Sequence, residues 1–132
     1  MSLSRRKFDY ILEHVKRLKE LSMECPVIVE GARDEQALRA VGVEGEILKV
    51  QTAGSVVEFC EGIAARYDEV ILFTDLDSAG KRIGKAVKKY LTDKGVKVDD
   101  NTAKRLMYAL DTAEAENLSK RFEKACRRFR YP

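Results

Sequence analysis

The sequence contains few of the residues that disulfide scaffolds and histidine- or cysteine-based metal sites require. Its 132 residues include one histidine, no tryptophan, two prolines and three cysteines. Cys25, Cys60 and Cys126 are too far apart in the chain to form a CxxC-type metal site, and their odd number favours free thiols. The lone His14 lies within a helical pattern, and we predict that it is a surface residue rather than a metal ligand.

Long apolar runs, internal repeats and low-complexity linkers are absent as well. No stretch approaches the length of a membrane span, and the N-terminus does not resemble a signal peptide. We therefore expect a cytoplasmic protein without a membrane partner. A hydrophobic share of 45% and a charged share of 36% suit a soluble chain with an ionic surface, and the length suits a single domain over residues 1–132.

The rest of the chain is organised around one stretch, VILFTDLDSAG at residues 70–80. Its apolar residues 70–73 show no alternation, which is typical of a strand buried on both faces. Asp75 and Asp77 follow, at the strand end where open α/β sheets bind ligands. Two carboxylates roughly 4–5 Å apart repel by about 4 kcal/mol at an effective dielectric constant of about 20, and Mg²⁺ would remove that penalty. The alternative is structural, with one aspartate capping the next helix and the other solvated.

An earlier apolar run ends in a similar way. Residues 27–29 predict a buried strand, and Glu30 and Gly31 follow it directly. Gly31 permits a tight turn or a close backbone approach, and Asp34 is predicted to cap a helix at 35–41. If the two strands are parallel and close, Glu30 would lie beside the aspartate pair.

The remaining pattern alternates strands with helices, which implies a parallel sheet covered on both faces. We therefore predict the α/β class with about four mainly parallel strands. A core at 26–98 would lie between an N-terminal helix at 4–22 and C-terminal helices within 99–132. The other strands are predicted at 47–50 and 96–98, and the other helices at 56–67, 79–93, 102–110 and 113–129.

Two segments have the composition of phosphate-binding sites. Gly54 and Ser55 precede a helix whose first N–H groups can hold a phosphate, although Ser55 is equally suited to cap that helix. The helix at 79–93 is strongly basic, and its first half adjoins the aspartate pair. Its charge would attract a phosphodiester, whereas a solvated helix face is the default alternative. The basic residues nearest the aspartates are Lys81, Arg82 and Lys85.

The last predicted helix mixes basic and aromatic residues. Such a mixture suits single-stranded nucleic acid, whose bases stack on aromatic rings. Phe122 and Phe129 are seven residues apart, however, and this spacing suits packing on the core equally well.

In combination, the two strand-end motifs resemble the Toprim domain. This domain is shared by bacterial-type primases, topoisomerases, OLD-family nucleases, recombination-mediator proteins and a small ribosomal-RNA maturation nuclease. The first motif is VIVEGARDEQAL, and the second is ILFTDLDSAGKRI, which also looks like the primase version. The resemblance spans about residues 27–98 and implies a Rossmann-like Toprim fold. The flanking domains of primases and the nucleophilic-tyrosine domain of topoisomerases are not matched, so we expect a small stand-alone Toprim protein nearest the nuclease branch.

The resemblance also implies a role for each matching residue. Glu30 would act as general acid or base, and Glu30, Asp75 and Asp77 would form a metal site for Mg²⁺, with Mn²⁺ as the alternative ion. The glycines would keep the backbone clear of substrate and metal, and a further acid would support the site. These supporting positions are Gly31, Asp34 and Gly80.

The expected function is Mg²⁺-dependent hydrolysis or transfer of phosphodiester bonds in RNA or DNA, as in a nuclease or phosphotransferase. The alternative is a non-catalytic nucleic-acid-binding or assembly module with protein partners in a repair or RNA-processing complex. A phosphatase of the haloacid-dehalogenase type also starts from Asp-x-Asp after a strand. That family usually carries its motif on the first strand, and it leaves Glu30 and Gly31 unexplained.

Overall fold

The computed structural model describes residues 3–132, and its centre is one sheet of four parallel strands. The strand order is β2-β1-β3-β4, and all three pairings are parallel. The predicted α/β class with a parallel sheet is confirmed, and each strand boundary lies within one residue of its predicted position. The strands are β1 (Val27–Val29), β2 (Ile47–Lys49), β3 (Glu69–Leu72) and β4 (Lys97–Asp99).

Helices cover both faces of this sheet. They are α1 (Arg5–Ser22), α2 (Ala32–Ala40), α3 (Val56–Ala64), α4 (Ser78–Asp93), α5 (Asn101–Ala109) and α6 (Leu118–Arg128), with short 3-10 helices at Val50–Thr52 and Ala115–Asn117. No helix among residues 3–132 combines the length and the apolar character that crossing a bilayer demands.

Neighbouring residues of a strand belong to opposite hydrophobic cores. Val27 and Val29 face a core shared with α1, α5 and α6, whereas Ile28 faces a core shared with α3 and α4. Residues 70–73 alternate in the same way between the two cores. Both faces of β1 and β3 are therefore buried, which explains why their sequences are continuously apolar.

Three details of the helices differ from the sequence expectations. Helix α2 begins at Ala32 with Gly31 in the capping position, so the predicted cap role of Asp34 is wrong. Asp34 lies in the first turn instead and reaches back to the N–H of Gly31. The helix predicted at 113–129 is interrupted, because a 3-10 turn at 115–117 precedes α6. Helix α3 ends at Ala64, three residues earlier than predicted.

The prediction that His14 lies on the surface is also wrong. Its relative exposure is 8%, and its Nδ1 is 2.9 Å from the carbonyl oxygen of Tyr10. It lies on the same helix face as the buried Ile11, Val15 and Leu18. This spacing puts the His14 side chain on the packed face of α1 although it is polar. The hydrogen bond to Tyr10 satisfies the Nδ1 atom of the buried ring.

Candidate functional site

The carboxyl ends of β1 and β3 bring the first predicted site residues together. The two strands are adjacent and parallel, with Ile28 in register with Leu72. Beyond the strand ends, the backbone N–H of Asp75 donates to Oε2 of Glu30 at 2.9 Å. This hydrogen bond joins residues 45 positions apart in the chain. The structure thus brings Glu30 and Asp75 together at the edge of the sheet where α/β folds place their ligand crevice.

Asp75 is a half-buried carboxylate with other acids close by. Its Oδ1 accepts a hydrogen bond from the backbone N–H of Ala115 at 2.8 Å. Burial raises the pKa of Asp75 to about 6, and the negative charges of Glu30, Asp34 and Asp77 add to this rise, whereas the Ala115 hydrogen bond opposes it. The ionised form of Asp75 is therefore costly, and a cation beside it would relieve that cost.

Asp77 occupies the N-cap position of α4. Its Oδ1 accepts from the backbone N–H of Gly80 at 2.7 Å, so the capping role considered for one aspartate describes Asp77. A Cβ atom added to Gly80 would collide with the carbonyl oxygen of Asp75 and would lie 2.6 Å from its Cβ. Only glycine lets the first turn of α4 approach the backbone of Asp75 this closely.

Asp34 and Gly31 lie just beyond the end of β1, on the same side of the crevice as Glu30. Asp34 Oδ2 accepts from the N–H of Gly31 at 3.0 Å. Burial raises the pKa of Asp34, the Gly31 hydrogen bond lowers it, and the nearby Glu116 raises it again. A Cβ on Gly31 would collide with the side chain of Gln51, and the N–H of Gln51 donates to the carbonyl oxygen of Glu30 at 3.0 Å.

The segment at 113–116 also contributes to the site, and sequence reasoning missed it. Ala113 accepts a backbone hydrogen bond from Leu76 at 2.7 Å, and Ala115 donates to the Asp75 carboxylate. Glu116 adds negative charge beside Asp34. Most of this contribution comes from backbone groups, which leave no side-chain pattern in a sequence. Among residues 113–116, the acidic side chain of Glu116 could have pointed to the site, but the sequence predicted it to lie inside a helix.

Carboxylate oxygens dominate the donor set of the crevice. Glu30, Asp75 and Asp77 each use one oxygen in a hydrogen bond to a backbone N–H. Within residues 3–132, no group of three or more histidine, cysteine, aspartate or glutamate side chains is arranged to hold a metal ion. Mg²⁺ itself commonly takes only one or two carboxylates and keeps several waters or substrate phosphates, so the chemistry of the donors suits this ion.

At the predicted phosphate site, Gly54 and Ser55, side chains of the protein itself already contact the N-terminus of α3. Ser55 Oγ accepts from the N–H of Glu58 at 3.1 Å, so Ser55 caps α3. A Cβ on Gly54 would lie 2.6 Å from Oε2 of Glu58, which means that a carboxylate already occupies this helix N-terminus. An acidic side chain there competes with an incoming phosphate for the same positive end of the helix dipole.

The basic residues of α4 divide into two groups. Lys81 and Lys85 line a cavity of about 300 Å³ between α4 and α5, and Leu76, which lies between the two aspartates, lines it too. Arg82 is exposed and does not line this cavity. The structure therefore places Lys81 and Lys85, but not Arg82, in a cavity next to the carboxylates.

The aromatic residues of the C-terminal helix serve packing. The ring of Phe129 stacks on that of Phe8 with centroids 4.6 Å apart, and Phe122 packs partly buried against the same core. These two rings are thus engaged within the protein, and neither is a free platform for bases.

Known proteins resemble this chain in both sequence and fold. A Toprim domain profile matches residues 25–109. The UPF0292 protein of Pyrococcus horikoshii is 39% identical over 101 residues, which cover 76% of this chain and 71% of the relative. The UPF0292 protein of Methanocaldococcus jannaschii is 36% identical over 92 residues, covering 70% of this chain and 72% of the relative. A solved structure of a putative protein from Aquifex aeolicus has a TM-score of 0.69 at 27% identity and covers 80% of this chain and 95% of its own. The chain therefore belongs to the Toprim family and is similar throughout most of its length to the UPF0292 proteins.

Proposed function

We propose that this Toprim protein hydrolyses or transfers phosphodiester bonds of RNA or DNA in a Mg²⁺-dependent reaction in the cytoplasm. One observation carries the proposal: the 2.9 Å hydrogen bond from the Asp75 N–H to Glu30 Oε2, which joins the two Toprim motifs in one crevice. Phosphoryl chemistry needs a proton donor or acceptor and neutralisation of the phosphate charge, and this crevice offers residues for both.

Each acid of the crevice has a distinct part in this proposal. Glu30 is held by the Asp75 N–H through Oε2, so its other oxygen can take a proton from the nucleophile or give one to the leaving oxygen. One or two of the carboxylates of Glu30, Asp75 and Asp77 at a time would hold Mg²⁺ or Mn²⁺, with waters or substrate phosphate as the other ligands. When bound, the ion would neutralise and orient the phosphate. The Ala115 N–H fixes the Asp75 carboxylate, and the basic side chains of α4 attract the anionic strand.

A second candidate function is a nucleic-acid-binding or assembly module without turnover, with protein partners. The observation that favours it is that all three carboxylates already accept backbone hydrogen bonds, Asp77 as a helix cap. In that case the acids would serve chiefly to shape the loops. This candidate predicts an affinity for nucleic acid that falls with salt and no cleavage with any divalent ion.

The test is a cleavage screen on single- and double-stranded RNA and DNA with Mg²⁺ or Mn²⁺. Glu30→Gln and Asp75→Asn should each lower the rate by roughly a hundredfold or more, because each removes a group that acts on the reacting phosphate. Glu13→Gln is the control, since Glu13 is exposed on α1 and should leave the rate unchanged. Cleavage that persists in both site variants would refute the assignment. A wild-type protein that binds but never cleaves would establish the second candidate.

A further inference from the structure

The proposed chemistry uses the cavity between α4 and α5 only through the general positive charge of its lysines. The cavity measures about 300 Å³ and opens beside the end of β3, next to the aspartate loop. Its floor is largely apolar and includes Leu72, with 4% exposure, and Ala103, with 2%. Basic side chains from both helices surround this floor; they are Lys81, Lys85, Lys88 and Lys104.

One carboxylate holds two of these lysines in place. Asp100 Oδ2 accepts from Nζ of Lys88 at 3.0 Å and from Nζ of Lys104 at 3.1 Å. Burial raises the pKa of Asp100, but the two hydrogen bonds outweigh it and leave the pKa below its usual range. Asp100 thus links α4 to α5 across the cavity, and it compensates only part of the positive charge there.

The other two lysines have no such partner. Within residues 3–132, neither Lys81 nor Lys85 forms an ion pair. Among the residues that line the cavity, four lysines face one aspartate, which is an excess of three positive charges. Leu76 lines the cavity and lies between Asp75 and Asp77, so a ligand bound there would be adjacent to the carboxylate crevice.

We propose that this cavity binds the phosphorylated end of a nucleic-acid strand. The terminal phosphate monoester would lie between the ammonium groups of Lys81 and Lys85, and the terminal nucleoside would rest on the apolar floor. A monoester carries up to about two negative charges at neutral pH, against one for an internal phosphodiester, so clustered unpaired lysines favour the strand end. The inference rests on the proposed function because it names the part of the same substrate that this protein recognises.

The test measures binding without turnover. Glu30→Gln protein in EDTA is titrated into short labelled oligonucleotides of one sequence, which carry a 5′-phosphate, a 3′-phosphate or hydroxyls at both ends. One phosphorylated form should bind roughly tenfold more tightly than the hydroxyl form, since it adds a charge-assisted contact. Comparison of the 5′ and 3′ forms identifies which end is recognised.

Variants connect this preference to the cavity. The double change Lys81→Ala and Lys85→Ala should bring the phosphorylated and hydroxyl forms to equal affinity. Lys89→Ala is the matched control, because Lys89 lies on the same helix, pairs with Asp93 and does not line the cavity. Thermal melting checks that each variant remains folded. The control should keep the full preference.

Three results would overturn the inference: equal affinity for all three oligonucleotides, no measurable binding of any of them, or a preference that survives in the double variant. Because the binding assay involves no cleavage, its result is independent of the nuclease screen. A strand-end preference in a protein that never cleaves would refute the proposed catalysis alone. Cleavage without that preference would refute the strand-end inference alone.

Discussion

Replacing Asp75 by asparagine should stabilise this protein while it removes the proposed activity. The asparagine side chain would retain the shape of the aspartate and an oxygen that can accept from the Ala115 N–H, now 2.8 Å from Asp75 Oδ1. It would lose the charge that burial and the neighbouring acids disfavour. Catalytic sites commonly store unfavourable charge in this way, and removing it exchanges function for stability.

The magnitude follows from the pKa of Asp75. Burial and neighbouring carboxylates raise this pKa from the ordinary 3.8 to about 6, and each unit of difference corresponds to about 1.4 kcal/mol. Unscreened, this difference corresponds to about 3 kcal/mol. Because Asp75 is only half-buried, solvent screening reduces the expected cost of the ionised side chain above pH 6 to about 1–2 kcal/mol. Because the folded state holds the proton more tightly, this cost is absent below about pH 4 and grows as the pH rises from about 4 to about 6.

Urea unfolding in EDTA at several pH values between 4 and 8 measures this difference. The free energy of unfolding of Asp75→Asn should exceed that of wild type by about 1–2 kcal/mol at pH 8, and the gap should close near pH 4. Asp93→Asn is the control, because Asp93 is exposed on α4 and its change should stay within about 0.5 kcal/mol. A gap that does not depend on pH, or a less stable variant at pH 8, would refute the reasoning.

Further predictions concern packing and charge elsewhere in the fold. Gly80→Ala should lower the free energy of unfolding, measured with denaturant, by about 3 kcal/mol, because the added Cβ would press on the Asp75 backbone. Gly62→Ala should raise it by about 1 kcal/mol, because an added Cβ there has nothing within 4 Å. Asp100→Asn should cost roughly 1 kcal/mol at pH 7, and the loss should vanish as the pH falls below about 4, since the lowered pKa makes that stability dependent on the ionised form. Leu118→Ala should cost about 3 kcal/mol if α6 belongs to the core, and a change below about 1 kcal/mol would contradict that packing.

Local patterns were sufficient to predict the sheet and its direction. A strand buried on both faces must be apolar at consecutive positions, as residues 27–29 and 70–72 are. Alternation of such strands with helices leaves a parallel arrangement as the expected topology. Parallel neighbours end at the same edge of the sheet, so Glu30 and Asp75 were expected to meet if β1 and β3 were adjacent. The strand order of the folded sheet supplies that adjacency.

Features that depend on how helices pack could not be predicted in this way. The spacing of His14 puts it on the apolar face of α1, but only the packing of this helix against other elements decides that the position is buried. The paired lysines around Asp100 come from two helices, so their contact is a property of the assembled fold.

The sequence by itself determined the two strand-end motifs and Gly80, because each depends on residues within one short segment. The alternation of apolar strands with helices along the chain determined the parallel sheet. Only the tertiary structure decided that the segment at 113–116 packs against Asp75. That segment returns to the crevice after a left-handed turn at Asp111, with φ of 55°, and contacts it mainly through the backbone of Ala113 and Ala115. A backbone N–H is common to almost every residue, so its partner is set by where packing places it.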